Sequence, residues 1–256
     1  MRYALLSDIH ANLHALDAVL ADIEARADCD AVYHLGDLVG YSAFPNEVVG
    51  RLRERAIAGI AGNYDSTVGA DYHHCGCRSE SPRQEELAHQ SFAYTRRTVT
   101  TETKRYLAGL PFSLDLRPLG GHRRGPRCVL VHGTPTLNTV YWTEDRPDRF
   151  CRQMAKVVGL VEGDALAFGH THKPWHRVVD GIHFINTGSV GRPKDGDPRA
   201  GYVRLDLGTD TPRVELVRVP YDIEAEVAAL RAAGLPDEFG AFLRSGGVPV
   251  AAASPP

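Results

Sequence analysis

The sequence predicts an α/β fold, because short apolar runs alternate with amphipathic helical segments along its 256 residues. The first run, residues 2–7, is apolar without alternation, as expected for a strand buried on both faces. Asn12 follows as a helix N-cap, and apolar residues then recur at helical spacing from Leu13 to Ile23. Strand, loop and helix in immediate succession are typical of open α/β sheets, whose sites lie at the carboxyl ends of strands.

The composition favours one domain with one substantial core. Hydrophobic residues make up 43% of the chain, and we predict that residues 1–245 form that domain. Residues 246–256 consist mainly of small residues and proline, so we expect a disordered tail. The formal net charge of -3 argues against nucleic acid as an obligate partner, although a nucleotide substrate is compatible with it.

The sequence carries no signal for a membrane or a secretory route. No apolar stretch approaches the roughly 20 residues needed to cross a bilayer, and the apolar part of the N-terminus is too short for a signal peptide. The five cysteines are odd in number and unevenly spread, unlike a secreted disulfide framework. We therefore predict a cytoplasmic protein and leave its oligomeric state open.

The same alternation of strands and helices continues along the chain. Further strands are predicted at 31–35, 56–61, 112–116, 127–131, 165–168, 175–179, 182–185, 200–206 and 212–219. Helices are predicted at 47–55, 149–158 and 223–233, and residues 84–98 and 101–107 should form a helical hairpin, an addition at about 83–108. Residues 66–82 are predicted to be an irregular loop.

Two strand ends carry pairs of metal-binding side chains. The strand at 165–168 ends in Gly169, after which His170 and His172 follow two apart. If the extended backbone continues through the glycine, both imidazoles project to the same side. The first strand ends in the same spacing, with Asp8-Ile9-His10.

Three further strand ends carry single polar side chains, namely Asp37 after Gly36, Asn63 after Gly62, and His132. Taken alone, Asp37 is better explained as a turn or cap residue, and Gly-Asn as a turn. Because such side chains recur at the ends of successive strands, all three become candidate metal ligands. Asp37 is the best suited to bridge two cations, because a carboxylate carries a full charge and two oxygens.

Together the strand ends form a mixed oxygen and nitrogen donor set that is too large for one metal. Such a set suits Mn, Fe, Zn, Ni or Co better than Mg or Ca alone. With Asp37 shared, it would hold two divalent metal ions at the spacing of about 3.5 to 4 Å used by two-metal hydrolases. The ions would lower the pKa of a shared water, which supplies a bridging hydroxide as nucleophile. The set is Asp8, His10, Asp37, Asn63, His132, His170 and His172.

The segment His73-His74-Cys75-Gly76-Cys77 suggests a second metal site. Four soft ligands in five residues cannot easily enclose one tetrahedral ion, and no second Cys/His pair lies at the usual spacing. A structural zinc is therefore disfavoured. The alternative is a loop at the mouth of the site, with His73 or His74 touching substrate.

The five motifs resemble, in order, those of the calcineurin-like metallophosphoesterase superfamily: Asp-x-His, Gly-Asp, Gly-Asn, a lone His and Gly-His-x-His. The resemblance implies a four-layer α/β/β/α sandwich of two mixed β-sheets flanked by helices. It also implies phosphoester hydrolysis, with one metal held by Asp8, His10, Asp37 and His172 and the other by Asp37, Asn63, His132 and His170. Similarity to the small bacterial phosphodiesterases makes a diester of a small molecule or nucleotide the first choice of substrate.

One position departs from many members of that family, which place a histidine after the motif asparagine to protonate the leaving group. Here that position is Tyr64, whose reference pKa near 10 makes it a poorer acid at neutral pH. The predicted catalytic residues are thus Asp37, Asn63 and Tyr64, with Tyr64 either a weak acid or only a packing residue.

Three other functions stay open on the sequence. A phosphomonoesterase, including a protein phosphatase, or a dinucleoside polyphosphate hydrolase would use the same ligands. A scaffold that has lost catalysis would also have this fold, but its expected mark is a missing ligand. All seven ligands are present.

Overall fold

A computed structural model describes residues 1–76, 81–117, 125–209 and 211–248. The strands are β1 (Arg2–Leu6), β2 (Ala31–His34), β3 (Ala58–Gly59), β4 (Leu114–Leu116), β5 (Cys128–Leu130), β6 (Ala165–Phe168), β7 (Trp175–Val179), β8 (Ile182–Asn186), β9 (Ala200–Asp206) and β10 (Arg213–Val219). The helices are α1 (Leu13–Arg26), α2 (Pro45–Glu54), α3 (Asn63–Gly69), α4 (Pro82–Thr98), α5 (Thr101–Ala108), α6 (Asp148–Val157), α7 (Ile223–Ala232) and α8 (Asp237–Ser245).

The strands form two mixed sheets of five strands each. The first sheet has the order β10-β9-β1-β2-β3, in which β1, β2 and β3 are parallel and β9 runs antiparallel to both β1 and β10. The second has the order β4-β5-β6-β8-β7, in which β5, β6 and β8 are parallel. The carboxyl ends of parallel strands meet at one edge, so each sheet brings several strand ends together.

Both faces of the first sheet are buried, which explains why β1 is apolar without alternation. Tyr3 and Leu5 pack against the second sheet, whereas Ala4 and Leu6 pack against the layer of helices that contains α1 and α2. On the far side of the second sheet, Trp142 stacks on Phe168 with ring centroids 4.4 Å apart, in a cluster that includes residues of α6. The predicted four-layer sandwich of two sheets flanked by helices is confirmed.

Two stretches differ from the sequence prediction. The predicted loop at 66–82 is wrong in its first part, because α3 begins at Asn63 and continues to Gly69. Burial of Val68 and pairing of α3 with α5 stabilise this short helix, which periodicity could not reveal. Helix α8 was missed for a similar reason: it is short, contains Gly240, and packs mainly on α7.

The predicted helices at 84–98 and 101–107 are present as α4 and α5, and both pack on α2. Asn12 caps α1 as predicted, since its side chain accepts a hydrogen bond from the backbone N–H of Ala15. Within the described ranges no helix combines the length and the hydropathy that a bilayer span requires. Cys77, part of the turn after Arg117 and residues 249–256 of the predicted tail lie outside the described residues.

Candidate metal centre

The seven side chains predicted as ligands lie together, at the carboxyl ends of strands from both sheets. Among the described residues there are two clusters, each with its potential ligand atoms within 4.8 Å of one another. Asn63 lies beside the cluster that contains His132, with its Oδ1 3.2 Å from Nε2 of that residue. We call the clusters the first group, Asp8, His10 and His172, and the second group, Asp37, His132 and His170; all six residues are buried.

Asp37 links the two groups through a single oxygen. Its Oδ2 lies 3.7 Å from Nε2 of His10 in the first group and 3.4 Å from Nε2 of His132 in the second. Its Oδ1 instead accepts a hydrogen bond of 2.8 Å from the backbone N–H of Tyr64. The expectation that both carboxylate oxygens face the cations is therefore replaced by one oxygen that faces both groups and one that is anchored to α3.

The backbone at these strand ends is not extended, so the reasoning that placed His170 and His172 on one side of a continuing strand is wrong. Strand β6 ends at Phe168, and the two histidines have φ values of 65° and 60°. Asp8 and Asp37 also lie in the left-handed region, with φ of 52° each. The turns send His170 to the second group and His172 to the first. Left-handed conformations cost L-residues free energy and are concentrated at functional sites.

Gly169 lets the two sheets approach each other at the centre. A Cβ atom on this residue would lie 2.0 Å from Oγ of Ser7 and 2.4 Å from Oδ2 of Asp8, so only glycine fits. Oδ2 of Asp8 accepts hydrogen bonds from Ser7 Oγ at 2.5 Å and from the backbone N–H of His170 at 2.9 Å. Oδ1 of Asp8 is left to face Nε2 of His172 at 3.2 Å.

Three of the four imidazoles are oriented by backbone carbonyls. Because a carbonyl oxygen can only accept, each of these Nδ1 atoms carries a proton, and this hydrogen bond turns Nε2 toward the centre. The Nδ1 atoms of His10, His132 and His172 lie 3.1, 2.8 and 2.6 Å from the carbonyl oxygens of Val39, Leu35 and Arg192.

This arrangement fits bound cations. Nε2 of His10 lies 3.1 Å from Nε2 of His172, so two lone pairs face each other unless a cation lies between them. In the described part of the chain, Oδ1 of Asp8 and Nε2 of His170 are buried without a hydrogen-bond partner. Buried polar atoms without a partner are rare in proteins, and one metal in each group would satisfy all four atoms.

Charge and burial shift the pKa values of the four imidazoles in two directions. Burial, followed by the charge of His172, lowers the pKa of His10 to about 3, and burial, followed by His132, lowers that of His170 to about 3. Burial and the charge of Lys194 also lower the pKa of His172. His132 differs: burial alone would lower its pKa, but the charge and hydrogen bond of Asp37, the charge of Asp8 and the carbonyl group of Leu35 together raise it to about 10.

Asp65 is a residue of the centre that the sequence interpretation missed. Its Oδ1 accepts from the backbone N–H of Leu38 and its Oδ2 from that of Gly62, both at 2.9 Å, so it ties the ends of β2 and β3 together. Burial and the charge of Asp37 raise the pKa of Asp65 to about 7. The available signal was an aspartate three residues after a glycine N-cap.

The segment after α3 supports the second group without contributing a ligand. The carbonyl oxygen of Cys75 accepts from Nδ2 of Asn63 at 3.2 Å, which turns Oδ1 of Asn63 toward His132. Nδ1 of His73 lies 3.2 Å from Nη1 of Arg96, and Nδ1 of His74 accepts from the N–H of Gly76. Among the described residues, neither histidine belongs to a metal-binding cluster.

Tyr64 is buried in the apolar cluster between the first sheet and its helices. Its ring contacts those of His10, Tyr41 and Phe92, with centroid distances of 5.6, 5.2 and 5.7 Å. Its hydroxyl oxygen is buried as well. The side chain thus packs behind His10, while its backbone N–H holds Asp37.

Comparison with known proteins agrees with this geometry. The chain is 29% identical over 256 aligned residues to an uncharacterized protein of Methanocaldococcus jannaschii, covering 93% of this chain and 95% of the relative. It superimposes on a metallophosphoesterase from Sphaerobacter thermophilus with a TM-score of 0.72, 28% identity and coverage of 96% and 99% of the two chains. A hypothetical protein of Pyrococcus horikoshii OT3 has the same fold, with a TM-score of 0.81, 23% identity and coverage of 97% and 99%.

The sequence profile of the calcineurin-like phosphoesterase superfamily domain matches residues 1–210, which include all seven residues of the centre. Members of this family are phosphoesterases that typically depend on a dinuclear metal centre, and the two groups supply residues for one. The chain belongs to the calcineurin-like phosphoesterase superfamily.

Proposed function

We propose that this protein is a two-metal phosphoesterase that hydrolyses phosphodiester bonds of a small-molecule or nucleotide substrate. The observation that carries the proposal is the position of Asp37, whose Oδ2 lies within 4 Å of an imidazole nitrogen in each group. A carboxylate placed in this way can be shared by two cations, which is the arrangement that two-metal hydrolysis requires.

We assign Asp8, His10, Asp37 and His172 to one metal, and Asp37, Asn63, His132 and His170 to the other. The nitrogen-rich donor set favours Mn, Fe, Zn, Ni or Co. When bound, such ions supply Lewis acidity toward phosphoryl oxygens and activate water at neutral pH.

The protein's own contribution is to hold the donor atoms rigidly and to bury them. Asp8 and Asp37 each have one oxygen fixed by hydrogen bonds from the protein, which leaves the other oxygen aimed at the centre. Three imidazoles are held in one tautomer by backbone carbonyls. A preorganised site of this kind does not have to reorder its dipoles as charge develops in the transition state.

Two considerations bear on the substrate: the first concerns its leaving group, and the second, a resemblance, supports a diester over a monoester. The position that carries the leaving-group acid in many family members is Tyr64, whose hydroxyl is buried behind His10. Substrates whose leaving groups depart without strong protonation, such as aryl esters, should therefore react best. The sequence also resembles the small bacterial phosphodiesterases that often lack the acid histidine.

The test uses protein that is stripped with a chelator and then supplied with manganese. Rates are compared on bis(p-nitrophenyl) phosphate and p-nitrophenyl phosphate, and metal content is measured by mass spectrometry. We expect two ions per chain and a higher kcat/KM for the diester. Faster monoester hydrolysis would overturn the diester assignment, and a protein that binds no transition metal under any supplementation would be a scaffold.

A further inference from the structure

Arg192 occupies an unusual position beside the first group. Its guanidinium carbon lies 4.0 Å from the centroid of the Tyr41 ring and 3.6 Å from that of the Phe242 ring, so the cation is held between two aromatic side chains. Stacking on aromatic rings uses the faces of the planar guanidinium. The N–H groups lie along its edge, where they can pair with two oxygens of a phosphoryl group.

The backbone around Arg192 is joined directly to the metal centre. Nδ1 of His172 donates to the carbonyl oxygen of Arg192 at 2.6 Å, and the N–H of Lys194 donates to the carbonyl oxygen of His172 at 3.2 Å. The ring of Tyr41, which supports one face of the guanidinium, also contacts the ring of His10 at a centroid distance of 5.0 Å. Residues 192–196 thus run along the first group. We call them the cationic segment, because they carry Arg192 and Lys194 while their one carboxylate, Asp195, pairs with Arg218.

Phe242 reaches Arg192 from outside the matched family domain. It lies in α8, whereas the family match ends at residue 210. The end of α8 is docked on the same cationic segment, because the carbonyl oxygen of Gly246 accepts from the N–H of Gly196 at 3.0 Å. A Cβ atom on Gly247 would lie 2.7 Å from the carbonyl oxygen of Pro193, so the two backbones are in contact.

The charge balance determines which class of ligand this segment can take. The two carboxylates of the groups, Asp8 and Asp37, would neutralise only half of the charge of two divalent ions. Arg192 and Lys194 add positive charge at the same place, and their charges act on His172. A site with this excess of positive charge attracts anions and repels cations.

We propose that Arg192 binds a phosphoryl oxygen of the substrate, and that Phe242 is a positioning residue that holds the guanidinium in place. The inference rests on the proposed function in that the anion is the phosphoester itself. It assigns to the C-terminal helix α8 a part in substrate binding that lies outside the matched domain. Arg192 is not a metal ligand, so its removal should leave the metal content unchanged.

The test is calorimetric titration of the manganese-loaded protein with inorganic phosphate, which does not depend on turnover. We expect Arg192→Ala to raise the Kd by about ten- to a hundredfold, as for loss of a charge-assisted hydrogen bond. Arg192→Lys should give a smaller rise, since lysine keeps the charge but lacks the planar fork. Phe242→Ala should raise the Kd less than Arg192→Ala, because the charge is retained and only its position is lost.

The matched control is Arg199→Ala, which removes an exposed arginine of the same region whose partner is Asp197. It changes the net charge equally, and we expect phosphate binding to stay as in the wild type. Kinetics on the diester should then show a raised KM for Arg192→Ala with kcat changed less.

A wild-type Kd in both Arg192→Ala and Arg192→Lys would overturn the proposal. Arg192 would then only hold α8 in place, and its substitution would lower the Tm without changing phosphate binding. Absence of phosphate binding by the loaded wild-type protein would overturn it too. If Arg192→Ala does not fold, the Arg192→Lys titration decides alone. If phosphate binding depends on Arg192 but no phosphoester is hydrolysed, the proposed function fails and the anion site stands.

Discussion

The first and second groups have similar ligands but different means of remaining stable without an ion. In the first group, the Nε2 atoms of His10 and His172 face each other at 3.1 Å, and the pKa of each imidazole is lowered by burial. In the second group, Nε2 of His132 lies 3.4 Å from Oδ2 of Asp37, and that carboxylate raises the pKa of His132 to about 10. A proton on His132 can therefore do part of the work of a cation there.

This difference teaches that the two groups should depend unequally on metal. In the described part of the chain, each group has one buried atom without a hydrogen-bond partner, and each has a carboxylate–imidazole contact, at 3.2 Å in the first and 3.4 Å in the second. The facing imidazole lone pairs belong to the first group. In the second group the pKa of the paired imidazole is raised, so its contact can be a buried ion pair. One oxygen of Asp37 faces both groups. A substitution of Asp37 should therefore weaken metal binding in both groups, whereas a substitution within one group should increase the difference between the two metal affinities.

The largest effect is expected from Asp37→Asn, which keeps the shape of the side chain but removes its charge. Mutation of a residue that only hydrogen-bonds to a metal ligand typically lowers affinity or activity by about 10- to 100-fold. Loss of a ligand shared by two ions should therefore lower kcat/KM by more than about a hundredfold. Metal analysis should find fewer than two ions per chain. Rates on the diester and metal content per chain are the measurements.

Asp180→Asn is the matched control for that change. Asp180 lies in the exposed turn between β7 and β8, where it pairs with Arg152, and it has the same left-handed backbone as Asp37. We expect it to leave rate and metal content unchanged. Near-normal turnover of Asp37→Asn with both ions retained would contradict the assignment of a shared ligand.

An intermediate effect, confined to the first group, is expected from Ser7→Ala. The hydroxyl of Ser7 donates to Oδ2 of Asp8 at 2.5 Å and helps to aim Oδ1 at His172. Loss of this bond should weaken the binding of one ion by about 10- to 100-fold and leave the other unchanged. Competition with a chromophoric chelator should then resolve two metal affinities that differ more in the variant than in the wild type.

Thr95→Val serves as its control, because it removes another buried hydroxyl, one that bonds to the carbonyl oxygen of Ser91 within α4. It should lower Tm without separating the two affinities. If Ser7→Ala weakened both ions equally, the idea that the groups are held independently would be wrong.

Much of the centre could be predicted because its signals are local. A ligand that follows soon after a strand, as Asp37 follows β2 and His132 follows β5, is placed by the strand itself. The orientation of the ligands could not be predicted, since it depends on left-handed residues such as His170 and on carbonyl partners far away in sequence. Leu35, for example, holds His132 across 97 positions.

Helix α3 shows the same limit of sequence-based prediction, here for an element of the fold. Asn63 was expected at a turn, but it is the first residue of a helix whose cap is supplied by Asp65 and whose support is the distant α5. Short helices are stabilised by tertiary contacts more than by their own sequence, so the local signal, Asp65 three residues after Gly62, was too weak to indicate it. This helix gives Tyr64 its place, and so it determines what Tyr64 can do.

The smallest effect is expected from Tyr64→Phe. The hydroxyl is buried, and phenylalanine keeps both the ring that contacts His10 and the backbone N–H that donates to Asp37. General acid catalysis contributes about 10²- to 10⁴-fold, so a residue that only packs should change kcat/KM far less than that. The measurement compares diesters with aryl and alkyl leaving groups. A loss found only with the alkyl leaving groups would give Tyr64 the role of proton donor in addition to its packing against His10.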